Sequence, residues 1–293
     1  MPLSDVTQTP LPKLAPRNTD GHKGIYGHAL VVGGSRGMSG SISLTGLATL
    51  RSGAGLVTLV VPRAIQDVVA GFNPSYMTHG LADASEQMVE AAADEVLALA
   101  ENMTAVALGP GLGRTPGVTE FVARLYRKIK QPMVVDADAL VALASHKELL
   151  AEVPAPRILT PHPGEFARLT GTKPTTDDQS RALAAGELAS ASGSASPPLI
   201  IVLKGHHTVI TDGKRYALNQ TGNPGMATGG TGDVLTGVIT ALLCQGLAPF
   251  EAARLGAHVH GLAGDLAAEK LGQVSLIASD LVDYLPAAFQ AIA

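Results

Sequence analysis

Six short runs of aliphatic and β-branched residues punctuate the chain: HALVVGG (28–34), GLVTLVVP (55–62), TAVALGPG (104–111), PMVVDAD (132–138), PRILTPHPGE (156–165) and PLIIVLKG (198–205). They are continuously apolar rather than alternating, the pattern of strands buried on both faces of a parallel sheet. Ala- and Leu-rich stretches between them predict helices at 41–51, 85–100, 117–130, 139–150 and 176–192. Residues 206–219 break the rhythm, because two short runs flank Asp212-Gly213, a tight-hairpin dipeptide. Helices at 233–245, 249–270 and 279–288 follow. Strands alternating with helices predict an α/β fold of three layers, a mostly parallel sheet flanked by helices with an antiparallel edge. The proline-rich, polar residues 1–20 read as a mobile arm ahead of a single domain over 21–293, and ASASGSASPP (189–198) reads as a loop.

In such folds ligands gather at the carboxyl ends of the strands. The unusual residues fall there: Gly33, Gly34, Gly109, Gly111, Gly113, Asp136, Asp138, His162, Glu165 and Lys204. Composition narrows what they can do. With 46% hydrophobic and 16% charged residues the chain can build a large core, and at net charge −4 it has no basic stripe for nucleic acid. The one cysteine, Cys244, excludes an internal disulfide and reads as a small apolar residue of a buried helix. Neither a secretory signal nor a membrane span is expected, which points to a cytoplasmic protein.

VVGGSRGMSG follows a strand, but its glycines at 33, 34, 37 and 40 do not make G-x-G-x-x-G, and the next strand ends in VVPRA without a ribose-binding acid. The dinucleotide fingerprint is rejected, and no Walker A loop occurs. GMATGGTGDVLTG (225–237) is more telling. Gly230, Thr231 and Gly232 can turn their amides toward an anion at a helix N-terminus, as an anion hole for a phosphoryl group in flight. Asp233 then sits where a carboxylate can take a proton from an attacking hydroxyl. Asp is also a common helix cap, but a cap does not require glycines on this scale.

Other residues keep two readings. Glu165 could hold Mg²⁺ through water, or complement the dipole of a helix's first turn. Asp136 and Asp138 are further metal-shell oxygens or caps. Lys204 could meet a phosphate, and the turn from Lys204 to Thr208 could hug a nucleotide. His258 and His260, two apart on a helix, face different directions and read as structural.

The ordered motifs GHKGIYGHALVVGGS, LRSGAGLV, GPGLG, DADAL, LTPHPGEFARLTG, VLKGHHTVI, GNPGMATGGTGDVLTGVI and GAHVHG closely resemble those of the ADP-dependent (S)-NAD(P)H-hydrate dehydratases, of the ribokinase-like superfamily, over roughly residues 20–290. The resemblance implies dehydration of (6S)-NADHX and NADPHX, by phosphorylation of the C6 hydroxyl and loss of phosphate. ADP is the donor and AMP is released in bacterial members, whereas eukaryotic ones use ATP. It further implies that Lys204, Gly205, His206, His207, Thr208 and Gly232 hold the nucleotide. Ser41, Gly111, Gly113 and His162 would line the hydrate site, Asp233 would be the base, and Glu165 stands at the metal-associated position. Mg²⁺, a homo-tetramer and a separate NAD(P)HX epimerase as partner belong to the same implication. A small-molecule kinase for a vitamin-precursor alcohol, of hydroxymethylpyrimidine or thiazole type, and a non-enzymatic nucleotide sensor are the alternatives.

Overall fold

The structure is a computed structural model and describes residues 3–82, 84, 87–151, 153–193 and 197–292. The first two positions of the expected 85–100 helix and residues 194–196 of the expected loop lie outside the described residues. The chain forms β1 (Ser4–Asp5), β2 (His28–Val32), α1 (Ser39–Arg51), β3 (Leu56–Pro62), α2 (Gln66–Phe72), β4 (Met77–Leu81), α3 (Ala93–Ala100) and β5 (Ala105–Leu108). Next come α4 (Pro116–Lys128), β6 (Met133–Val135), α5 (Asp138–Leu143), β7 (Arg157–Leu159), α6 (Pro163–Thr170), α7 (Asp178–Ala189) and β8 (Leu199–Leu203). After β9 (Val209–Thr211) and β10 (Arg215–Leu218), the chain ends in α8 (Thr231–Cys244), α9 (Pro249–Leu271) and α10 (Ala278–Ala291).

Among the described residues the strands form one sheet in the order β1-β10-β9-β8-β7-β6-β5-β2-β3-β4, and β9 runs antiparallel to both its neighbours. Successive strand residues point to opposite faces, and both faces are covered, which is why these runs show no polar alternation. Ala29, Val31, Leu59, Ala107 and Val202 pack with α1, α8, α9 and α10; Leu30, Val32, Val60, Leu108 and Leu203 pack with α3 to α7. The three-layer α/β/α expectation holds.

Strand order reverses between β2 and β5, whose partners lead away in opposite directions. The crevice at that reversal is the expected ligand site of an open α/β sheet. Gly33 permits the chain to close tightly there, since a Cβ on it would run into the Pro110 carbonyl.

The structure differs from the sequence reading in several elements. The helix expected at 139–150 stops at Leu143 and resumes as a 3-10 turn at Lys147–Ala151. The run over 156–165 is a strand to Leu159, as expected, but the loop expected after it turns at Pro163 into α6. The N-terminal segment lies against the body. Ser4 and Asp5 pair with β10, Val6, Leu11 and Leu14 pack on the core, and buried Arg254 donates to Thr9 Oγ1 (2.8 Å), Pro10 O (3.1 Å) and Thr7 O (3.3 Å).

Candidate active site

Helix α8 opens on Gly230, in the left-handed region at φ 93°, and no side chain caps it. The amides of its first turn have no carbonyl of the helix behind them to donate to, and the helix dipole gives this end positive character. Asp233 belongs to that first turn and is 9% exposed. It is not the cap, so the capping alternative falls. Burial, then the Asp136 carboxylate, pushes its carboxyl up to about 7, against a hydrogen bond from Ser41 and the Lys204 ammonium.

Lys204, just past the end of β8, donates from Nζ to Asp136 Oδ1 at 2.8 Å, and Thr236 of α8 donates to the other Asp136 oxygen at 2.8 Å. Burial works against the ammonium, but Asp136 and Glu165 outweigh it and hold its pKa above the ordinary lysine value. Asp136 is thus neither a cap nor a free metal ligand; it fixes Lys204 against the start of α8. Gly232 completes the junction, because a Cβ there would lie 3.1 Å from Lys204 Nζ. Asp138 is likewise committed: it accepts from the Gly113 amide at 2.9 Å and from Arg114 Nε at 2.7 Å. It therefore sets the glycine loop after β5. Gly111 of that loop faces Met38 and Ser41, and a Cβ on it would lie 3.1 Å from Ser41 Cβ.

His162 and Glu165 form a capping box at the start of α6. His162 Nδ1 accepts from the amides of Gly164 (2.9 Å) and Glu165 (3.3 Å), and Glu165 Oε2 accepts from the His162 amide at 2.9 Å. Burial and Lys204 hold the imidazole below its ordinary pKa, so it is neutral with the proton on Nε2, 3.3 Å from Glu165 Oε1. Burial raises the Glu165 carboxyl to about 7, against the pull of Lys204. Among the described residues no group of three or more His, Cys, Asp or Glu gathers to cage a metal. Of these carboxylates Glu165 is the one that fits Mg²⁺, through one of the waters the ion usually keeps, since Asp136 and Asp138 are committed elsewhere.

On the other side of Gly232 lies a cavity of about 560 Å³. Lys204, Gly205, His206, His207, Thr208, Thr231 and Gly232 line it, so the expected nucleotide residues come together. Ser41, Gly111, Gly113, His162, Glu165 and Asp233 do not line it and belong to the switch-point side. Gly230 is absent from the lining too; a Cβ on it would meet Leu44 and Ala278. His206 and His207 stack with ring centroids 4.0 Å apart, and His207 takes a left-handed backbone at φ 52°.

Two supports of this cavity escaped the sequence reading, and a third was read only as structural. Residues 219–224 form its outer wall, where Asp265 accepts from the Gly222 amide (2.8 Å) and Asn223 Nδ2 (2.9 Å). The Gly-Pro-Asn content of NQTGNPGM could have marked that loop. Buried Arg181 of α7 reaches the carbonyls of the β8–β9 loop, a link that nothing in the local sequence signals. His260 lines the cavity and donates from Nε2 to Thr231 O at 2.8 Å; burial pushes its pKa down to about 4. It is structural, as expected, but what it holds is the site loop.

Comparison with known proteins bears on this arrangement. The family described as NAD(P)H-hydrate dehydratase matches residues 29–287. The chain is 45% identical over 277 residues to the bifunctional NAD(P)H-hydrate repair enzyme Nnr of Moorella thermoacetica, covering 94% of this chain and 51% of that protein. To the enzyme of the same name from Escherichia coli it is 35% identical over 273 residues, covering 93% and 49%. The chain thus spans about half the length of the curated relatives it matches. Among solved structures it resembles the ADP/ATP-dependent NAD(P)H-hydrate dehydratase of Bacillus subtilis co-crystallized with ATP/Mg²⁺, at TM-score 0.78 and 33% identity, over 96% of this chain and 95% of that one. Ribokinase of Arabidopsis thaliana, at TM-score 0.57 and 14% identity over 88% of this chain and 98% of that one, shares the fold.

Proposed function

This chain belongs to the NAD(P)H-hydrate dehydratase family, and we propose that it returns hydrated nicotinamide cofactors, (6S)-NADHX and NADPHX, to NADH and NADPH at the expense of ADP. One observation supports this most: a buried carboxyl with a pKa near neutrality, Asp233, one residue from the glycine that lines the nucleotide-sized cavity.

In this mechanism the nucleotide occupies the cavity with its terminal phosphate at the start of α8. The hydrate occupies the crevice of Ser41, Gly111, Gly113 and His162. Asp233 takes the proton from the C6 hydroxyl as that oxygen attacks the β-phosphorus, and the bond from phosphorus to AMP breaks. The amides of the first turn of α8 stabilise charge on the transferring group, and Lys204, braced by Asp136, adds a fixed positive charge. The C6–O bond of the ester then breaks, phosphate leaving with the bonding electrons under the push of the ring nitrogen, and a proton lost from C5 restores the double bond. Phosphate leaves readily where hydroxide does not. When bound, Mg²⁺ would supply charge neutralisation on the phosphate, and Glu165 would accept from its water shell.

Incubation with ADP and the hydrate tests the proposal. Recovery of the reduced-nicotinamide absorbance with release of AMP is expected; a phosphate ester that accumulates would replace it with the vitamin-precursor kinase reading. ATP in a parallel reaction tests the donor choice, since the Bacillus subtilis protein is named as dependent on ADP or ATP. We also propose that the chain assembles as a tetramer, which sedimentation would test. An epimerase would act alongside it, in keeping with relatives named bifunctional.

A further inference from the structure

The loop that lines the nucleotide cavity is shaped from behind. We propose that Arg181 and Asp178, on the first turn of α7 and outside the cavity, set nucleotide affinity by fixing the direction of the peptide units over residues 204–208; the inference rests on the nucleotide reading of that cavity. Arg181 Nη1 donates to His206 O at 2.7 Å and His207 O at 3.1 Å, and Nη2 reaches Leu203 O at 3.3 Å and Lys204 O at 3.5 Å. In a trans peptide the carbonyl and the following N–H point in opposite directions. Drawing the carbonyls of Lys204, His206 and His207 onto the guanidinium therefore turns the amides of Gly205, His207 and Thr208 away from it, toward the cavity those residues line. Amides converging on a concavity suit an acceptor-rich ligand such as a nucleoside phosphate.

The same pair stabilises a backbone that the sequence disfavours. His207 sits at φ 52°, a region side chains with a Cβ rarely enter, and its Nδ1 meets Asp178 Oδ2 at 2.7 Å. Asp178 Oδ1 accepts from Arg181 Nη1 at 3.1 Å, so one carboxylate orients both the ring and the guanidinium. Gly205 leaves room for this seat, since a Cβ there would lie 2.8 Å from Arg181 Nη2. A lysine cannot reproduce it, because a single ammonium cannot span carbonyls spread along both edges of a planar fork.

Calorimetric titration of the whole chain with ADP, together with steady-state kinetics, tests the role of the pair in the Arg181→Lys and Asp178→Asn variants. Arg181→Lys should weaken ADP binding by about tenfold and Asp178→Asn by about threefold, the scale of charge-assisted hydrogen bonds lost or weakened. The KM for the hydrate, and kcat at saturating ADP, should stay within about twofold of the parent, since the pair meets Lys204 only at its backbone carbonyl and leaves its ammonium on Asp136. Asp178 is part-exposed, so its variant decides the matter if Arg181→Lys does not fold. ADP affinities unchanged in both variants, or equal losses for ADP and the hydrate, would overturn the inference. A parent protein that binds neither ADP nor ATP would overturn the nucleotide reading itself.

Discussion

Gly232 divides two regions built on different principles. On its switch-point side the site is made of charged and polar side chains tied to one another: Asp136 to Lys204 and Thr236, Asp138 to Gly113 and Arg114, Glu165 to His162, Ser41 to Asp233. On its cavity side the wall is largely the loops at 204–208 and 219–227, closed by residues of α8 and α9, and the ionic groups Arg181 and Asp265 brace those loops from outside. Crowded, buried carboxylates are where a proton can change hands near neutral pH; converging amides are where a ligand can be recognised without titration. On the proposed mechanism, kcat and its pH dependence would belong to the first region, and nucleotide KM to the second.

The largest effect should come from removing the proton acceptor. Asp233→Asn should lower kcat by about 10³-fold, within the range for loss of a general base, with the KM for nucleotide little changed. Its fold should survive. A carboxyl raised from 3.8 to about 7 on folding contributes stability below 3.8 that is lost as pH rises through 7. At pH 8 the variant should therefore unfold at the same urea concentration as the parent or a higher one. Retained turnover would break the division at its base.

Next in size is Lys204, which belongs to both regions. Lys204→Met leaves the Asp136 carboxylate, 1% exposed, without its cation, a loss of about 3–5 kcal/mol in urea unfolding. It also removes a charge that lowers the Asp233 pKa, so the rising limb of kcat against pH should move to higher pH.

The wild-type limb itself sharpens the assignment. Asp233 must be ionised to accept a proton, so kcat should rise through about pH 7. Glu165 titrates in the same range and is the rival explanation. Glu165→Gln keeps an oxygen for the His162 amide and removes only the charge, so the limb should stay in Glu165→Gln and vanish in Asp233→Asn.

The two regions were unequally legible in the sequence. The switch-point side announced itself because its residues follow buried strands directly: Leu108, Val135 and Leu159 end strands, and the unusual residues come within the next few positions. The cavity was half-legible. Its floor, 204–208, follows β8, but its outer wall at 219–224 and its supports Arg181, His260 and Asp265 meet only through tertiary folding, at separations of 25 to 43 residues. Local patterning cannot report such pairs. Elements were missed for a related reason: β4 at the sheet edge reads MTHGL, half polar, and α6 opens on Pro163, in a proline-stiffened segment that reads as the loop after a strand. The N-terminal segment reads as mobile because its anchor, Arg254, lies some 245 residues away.

The smallest effect tests whether the boundary at Gly232 is sharp. His260 touches the first turn of α8 from the cavity side, through the Thr231 carbonyl, and bears on no group of the proton-handling side by hydrogen bond. His260→Leu removes one neutral hydrogen bond, a loss of about 1 kcal/mol in urea unfolding at pH 7.5. The histidine is neutral when folded down to about pH 4 but protonates near 6.5 when unfolded, so the stability it contributes is lost as pH falls through that window. The gap between parent and variant should therefore narrow at pH 5. Nucleotide KM should rise a few-fold as Thr231 and Gly232 loosen, while the pH midpoint of kcat stays where Asp233 sets it. A midpoint that moved with His260→Leu would mean that the helix start transmits cavity packing into the carboxylate's environment, and the two regions would then work as one.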